Sequence, residues 1–90
     1  MSYECHVTTT IAHADEAETL AQDFGWKTSQ IQRDPLLGDD TFFYLTKHNS
    51  DFLTLYSQMT LLVLRMKSDG LPVLREKIEH IIYDTKRAKP

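Results

Sequence analysis

The sequence predicts an α+β domain: a four-stranded antiparallel sheet with two helices on one face. Two observations predict it. Segments with a two-residue apolar/polar alternation fall at the start, middle and end of the chain, and segments with a helical apolar period separate them. Their order is strand, helix, strand, strand, helix, strand. Two helices inserted between antiparallel strands need one shared sheet face to bury their apolar stripes.

The first strand is expected over Tyr3–Ile11, a run rich in Thr, Val and Ile that alternates. Asp15–Phe24 follows as a helix. Ala17, Leu20, Ala21 and Phe24 recur at helical spacing, Asp15, Glu16 and Glu18 favour its N-terminal dipole, and Gly25 suits its end. Trp26–Gln32 reads as the second strand, with Trp26 in the core. Asp34-Pro35 and Gly38 make Arg33–Asp40 a turn region. Thr41–His48 is the third strand, through Phe42-Phe43-Tyr44-Leu45.

Asn49 or Ser50 is the expected cap of a second helix running to about Ser68. Its apolar face holds Phe52, Leu55, Tyr56, Met59, Leu62, Val63 and Met66; Leu53, Leu61 and Leu64 widen the stripe beyond what one sheet can cover. That excess suggests a second copy of the chain as partner. Gly70 and Pro72 stop the helix. Val73–Tyr83 then reads as the fourth strand, although Leu74, Ile78, Ile81 and Ile82 also fit a helix. The strand reading is preferred because it completes the sheet. The resulting βαββαβ order is the ferredoxin-like pattern, with right-handed crossovers placing the first strand between the third and fourth.

Ninety residues make one domain, expected over 1–85 with a frayed basic tail at 86–90. A chain this short buries only about 60–65% of its unfolded surface, so assembly would add stability. The net charge of −3 argues against a dedicated nucleic-acid binder. The single cysteine, Cys5, allows no internal disulfide and spells no cysteine zinc site; it reads as a small buried hydrophobe. No leader or membrane span is evident, so a cytoplasmic protein is expected. No cofactor motif (glycine-rich dinucleotide loop, P-loop or nucleophile elbow) is present, and no cofactor is expected.

Side-chain parity points to a site. Strand side chains alternate faces, so Glu4, His6 and Thr8 share a face, as do Tyr44, Thr46 and His48, and Arg75, Lys77 and Glu79. With the first strand central, these sets meet on the face away from the helices. Arg75 and Lys77 can hold an anion, arginine bidentately. Thr8, Tyr44 and Thr46 can orient it. His6 and His48 are the candidate acid and base, with Glu79 holding a tautomer. A metal set of His6, His48 and Glu79 or Glu4 ranks below the anion site, and no metal is expected. His13 and His80 read as structural or surface groups, and Glu76 and His80 fall on the helix-facing parity, at a β-bulge or the sheet margin.

His6-Val7-Thr8 resembles the H-x-T motif of the 2H phosphoesterases, which carry two such motifs on two pseudo-symmetric lobes. The chain has the length of one lobe, and its second pairing, Thr46-Lys47-His48, runs in the reverse direction. The resemblance implies phosphoester chemistry at His6 and Thr8. Tyr3-Glu4-Cys5-His6-Val7-Thr8, Gly25-Trp26-Lys27-Thr28-Ser29, Asp34-Pro35-Leu36-Leu37-Gly38, Tyr44-Leu45-Thr46-Lys47-His48, Arg75-Glu76-Lys77-Ile78-Glu79 and Tyr83-Asp84-Thr85 are also similar to a group of short bacterial and phage proteins. That likeness implies a compact single domain and supplies no activity. The expected function is binding of a small nucleotide or other phosphate compound, with phosphoester or lyase-type proton transfer if a reaction occurs. A non-catalytic homo-oligomeric or regulatory module is the alternative.

Overall fold

The computed structural model describes residues 2–31 and 41–82. The expected Arg33–Asp40 turn and the 86–90 tail lie outside them. The elements are β1 (Ser2–Thr10), a one-turn 3₁₀ segment (Ile11–His13), α1 (Ala14–Phe24), β2 (Lys27–Ile31), β3 (Phe42–Asn49), α2 (Phe52–Ser68) and β4 (Arg75–Ile81). The four strands form one antiparallel sheet in the order β2-β3-β1-β4, so β1 lies between β3 and β4.

Both helices end in the same way. Gly25 and Gly70 each take φ 79°, a left-handed conformation that suits a residue without Cβ. Trp26 N–H donates to the Ala21 carbonyl at 2.7 Å and Leu71 N–H to the Met66 carbonyl at 2.8 Å. Gly25 and Gly70 donate to Gln22 and Lys67 at 3.3 and 3.1 Å, completing a Schellman motif at each end. Lys47 adds charge at the first of these ends: its Nζ donates to the carbonyls of Phe24 and Gly25, each at 3.2 Å.

The start of α2 departs from expectation. Its cap is Asp51, not Asn49 or Ser50. Asp51 Oδ2 accepts from Thr54 N–H at 2.9 Å and from the Thr54 hydroxyl at 2.5 Å. These bonds hold its carboxyl below the usual carboxylate range. Asn49 instead supports the cap, its Oδ1 accepting from Asp51 N–H at 2.8 Å. β1 also ends sooner than expected, because Ile11 enters the 3₁₀ turn, where the Thr10 hydroxyl and His13 Nδ1 lie 2.7 Å apart.

One core separates helices and sheet. Cys5 and Val7 from β1 and Phe43 and Leu45 from β3 meet Ala17, Leu20 and Ala21 from α1 and Leu55, Met59, Leu62, Val63 and Met66 from α2. Trp26 and Leu71 close it at the helix ends. Cys5 is fully buried, and burial, reinforced by the Glu76 charge, pushes its thiol up to about 12. That leaves an inert neutral thiol.

Residues 75–81 form a strand, and the helical alternative for this segment does not occur. β4 is an edge strand, so Glu76 and His80 lie at the sheet margin, exposed on the helix-facing side. His80 stacks on Tyr3 with ring centroids 4.6 Å apart. Leu53, Leu61 and Leu64 of α2 stay 59–72% exposed. Among the described residues no helix is long and apolar enough to cross a membrane.

Candidate functional site on the open sheet face

The strand registers arrange the open face in rows that run across the sheet. From β4 to β3, the first row is Glu79, Glu4, His48. The second is Lys77, His6, Thr46 and, on β2, Lys27. The third is Arg75, Thr8, Tyr44 and Ser29. Neighbouring strands stand about 4.8 Å apart, so side chains in one row are in reach of each other. The structure therefore brings all eight sequence-predicted residues onto three adjacent strands of one face.

A hydrogen-bonded chain links two of the rows. Thr46 Oγ1 lies 3.0 Å from His6 Nδ1. His6 Nε2 meets Glu4 Oε1, and His48 Nε2 meets Glu4 Oε2 at 2.5 Å. An ionised carboxylate only accepts, so both imidazoles donate through Nε2–H. Neutral His6 then has Nδ1 free to accept from the Thr46 hydroxyl. His6 packs edge-on to Tyr44, with ring centroids 5.9 Å apart.

Burial alone would raise the Glu4 pKa. The hydrogen bonds from His6 and His48, together with the positive charge those rings can bear, outweigh it, and the carboxyl sits below its ordinary value of 4.5. Glu4 is thus an anion clamped between two imidazoles. The sequence placed Glu4 on this face but gave the orienting role to Glu79. Glu79 is paired elsewhere: Lys77 Nζ lies 2.9 Å from its Oε1.

The two histidines differ in availability. The His6 side chain is 19% exposed and both of its ring nitrogens are engaged; His48 is 41% exposed and its Nδ1 bonds no described residue. His48 is therefore the imidazole a ligand can reach, and His6 is the group that fixes Glu4. Thr8 is 2% exposed beneath this face, flanked by Tyr44 and Arg75. It cannot orient a ligand from there, and a buried Thr on the polar parity is what alternation alone does not reveal. Phe42 shares that parity and is also buried, at 6% exposure. The Arg75 guanidinium makes no ion pair with a described residue.

Lys27 was not singled out by the sequence, because β2 is weakly patterned. Its register opposite Thr46 puts it on the open face. A cleft of about 260 Å³ lies at the margin of that face, beside the end of α1, lined by Gly25, Lys27, Thr46, Lys47 and His48. It sets the exposed His48 imidazole beside the ammonium-bearing side chains of Lys27 and Lys47. In comparisons with known proteins, no family model, no curated protein and no solved structure matches the chain.

Proposed function

We propose that the open sheet face binds a small anionic ligand, a nucleotide or another phosphate compound, and that His48 serves as its acid/base group. One observation supports this above the others: Glu4 bridges His6 and His48 beside a cleft that also holds Lys27. A carboxylate on Nε2–H fixes the tautomer that leaves Nδ1 as the basic atom. Lys27 borders that cleft, while Lys77 and Arg75 supply cations farther along the face. Anions are favoured where cations and hydroxyls line a concave surface. In this reading Glu4 positions His48, His6 and Thr46 hold Glu4, and Tyr44 and Thr46 border the ligand. Phosphodiester cleavage or a lyase-type proton transfer would suit a single tuned imidazole. The element order and the strand order fit a ferredoxin-like fold, which leaves one sheet face bare for this use.

A thermal-shift screen against nucleotides, cyclic nucleotides and phosphorylated metabolites tests the reading. A ligand at a hundred times its Kd adds about 2.7 kcal/mol, several degrees for a domain of this size. A shift that Arg75→Ala or Lys27→Ala abolishes is expected. No shift across the panel contradicts it.

A second reading is favoured by the apolar stripe of α2. Leu53, Leu61 and Leu64 would pack against a second copy of the chain in a homo-oligomer or regulatory assembly.

A further inference from the structure

The first row of the open face sets two carboxylates side by side. Glu4 and Glu79 are direct cross-strand partners on β1 and β4. Like charges opposite each other in a sheet repel unless a cation or a hydrogen-bond donor offsets them. His6, two residues along β1 from Glu4, projects from the same face. One donor atom from each of Glu4, His6 and Glu79 lies within 4.8 Å of the other two.

We propose that Glu4, His6 and Glu79 bind a divalent transition-metal ion of the zinc class. Two carboxylate oxygens and one imidazole nitrogen form a ligand set that suits zinc and its neighbours. Metal–ligand bonds of 2.0–2.2 Å in a tetrahedral site separate the donor atoms by about 3.3 Å. For His6 to be a ligand, the ion takes the place of the Nε2 proton: the ring then carries its proton on Nδ1, which donates to the Thr46 hydroxyl oxygen 3.0 Å away. Glu79 has a second carboxylate oxygen besides the one Lys77 meets. His48 lies on the far side of Glu4, bonded to its other oxygen, where it orients a metal-bound carboxylate without being a ligand. Three protein ligands leave a fourth position for water or a ligand oxygen.

The ion shares Glu4 and His6 with the proposed anion site but needs neither Arg75, Lys27 nor the cleft, so its binding can be tested with no anionic ligand present. Calorimetric titration of the purified chain with zinc chloride alone, with no phosphate present, is the test. Saturable binding at one ion per chain is expected. Glu79→Gln should weaken it at least tenfold, and His80→Gln, at the sheet margin, should leave it unchanged. Glu79 is an exposed side chain, so its replacement leaves the core intact, and circular dichroism checks that it does. Absence of saturable binding overturns the proposal. So does binding that Glu79→Gln does not weaken, or that His80→Gln abolishes.

Discussion

At the residue scale, two effects act on the Glu4 carboxylate in opposite directions. Burial disfavours its charge, and hydrogen bonds from His6 and His48 favour it; the second effect wins. A folded pKa below the ordinary 4.5 means the unfolded chain binds more protons as pH falls through that range. The stabilisation from Glu4 is then complete above about pH 5 and lost progressively below 4.5. Glu4→Gln removes the titrating group. The melting-temperature gap between wild type and Glu4→Gln should be constant near neutrality and shrink below about pH 4.5. A gap unchanged down to about pH 3 would contradict the bridge. Parity made Glu4, His6 and Thr46 legible as one face in the sequence. The pairing of Glu4 with His48 was not, because it depends on the register between β1 and β3, and one strand does not encode its partner's offset. The burial of Thr8 was hidden for a related reason: it comes from neighbours on two other strands.

At the element scale, α2 has more apolar surface than the sheet can take. Leu55, Met59, Leu62, Val63 and Met66 face the core, while Leu53, Leu61 and Leu64 face outward. The helical period and the excess were both readable from the sequence. The cap was not: Asn49, Ser50 and Asp51 are all capping residue types, and only the backbone shows that Asp51 takes the role while Asn49 supports it. β4 begins at Arg75 rather than Val73, although Leu74 N–H already bonds the Thr8 carbonyl of β1 at 2.8 Å. If the outward leucines pack on a second copy, Leu61→Glu and Leu64→Glu should each reduce the sedimenting mass to that of one chain. A wild-type chain that already sediments as a monomer at high concentration ends that reading.

At the scale of the whole molecule, the two layers divide the work. The helices bury one sheet face and supply stability. The other face keeps ionisable groups in register across three strands, with Lys27 added from β2. Such an arrangement costs little in folding, because the groups are half-exposed and most of them are mutually paired. The most direct measurement is the histidine ring NMR spectrum of the chain as a nucleoside monophosphate is added. The four histidines report from separate places: His6 and His48 on the open face, His13 before α1, and His80 against Tyr3. The His6 and His48 signals are expected to move together and saturate while those of His13 and His80 stay in place. Signals that all remain still, or a shift confined to His80, would contradict it.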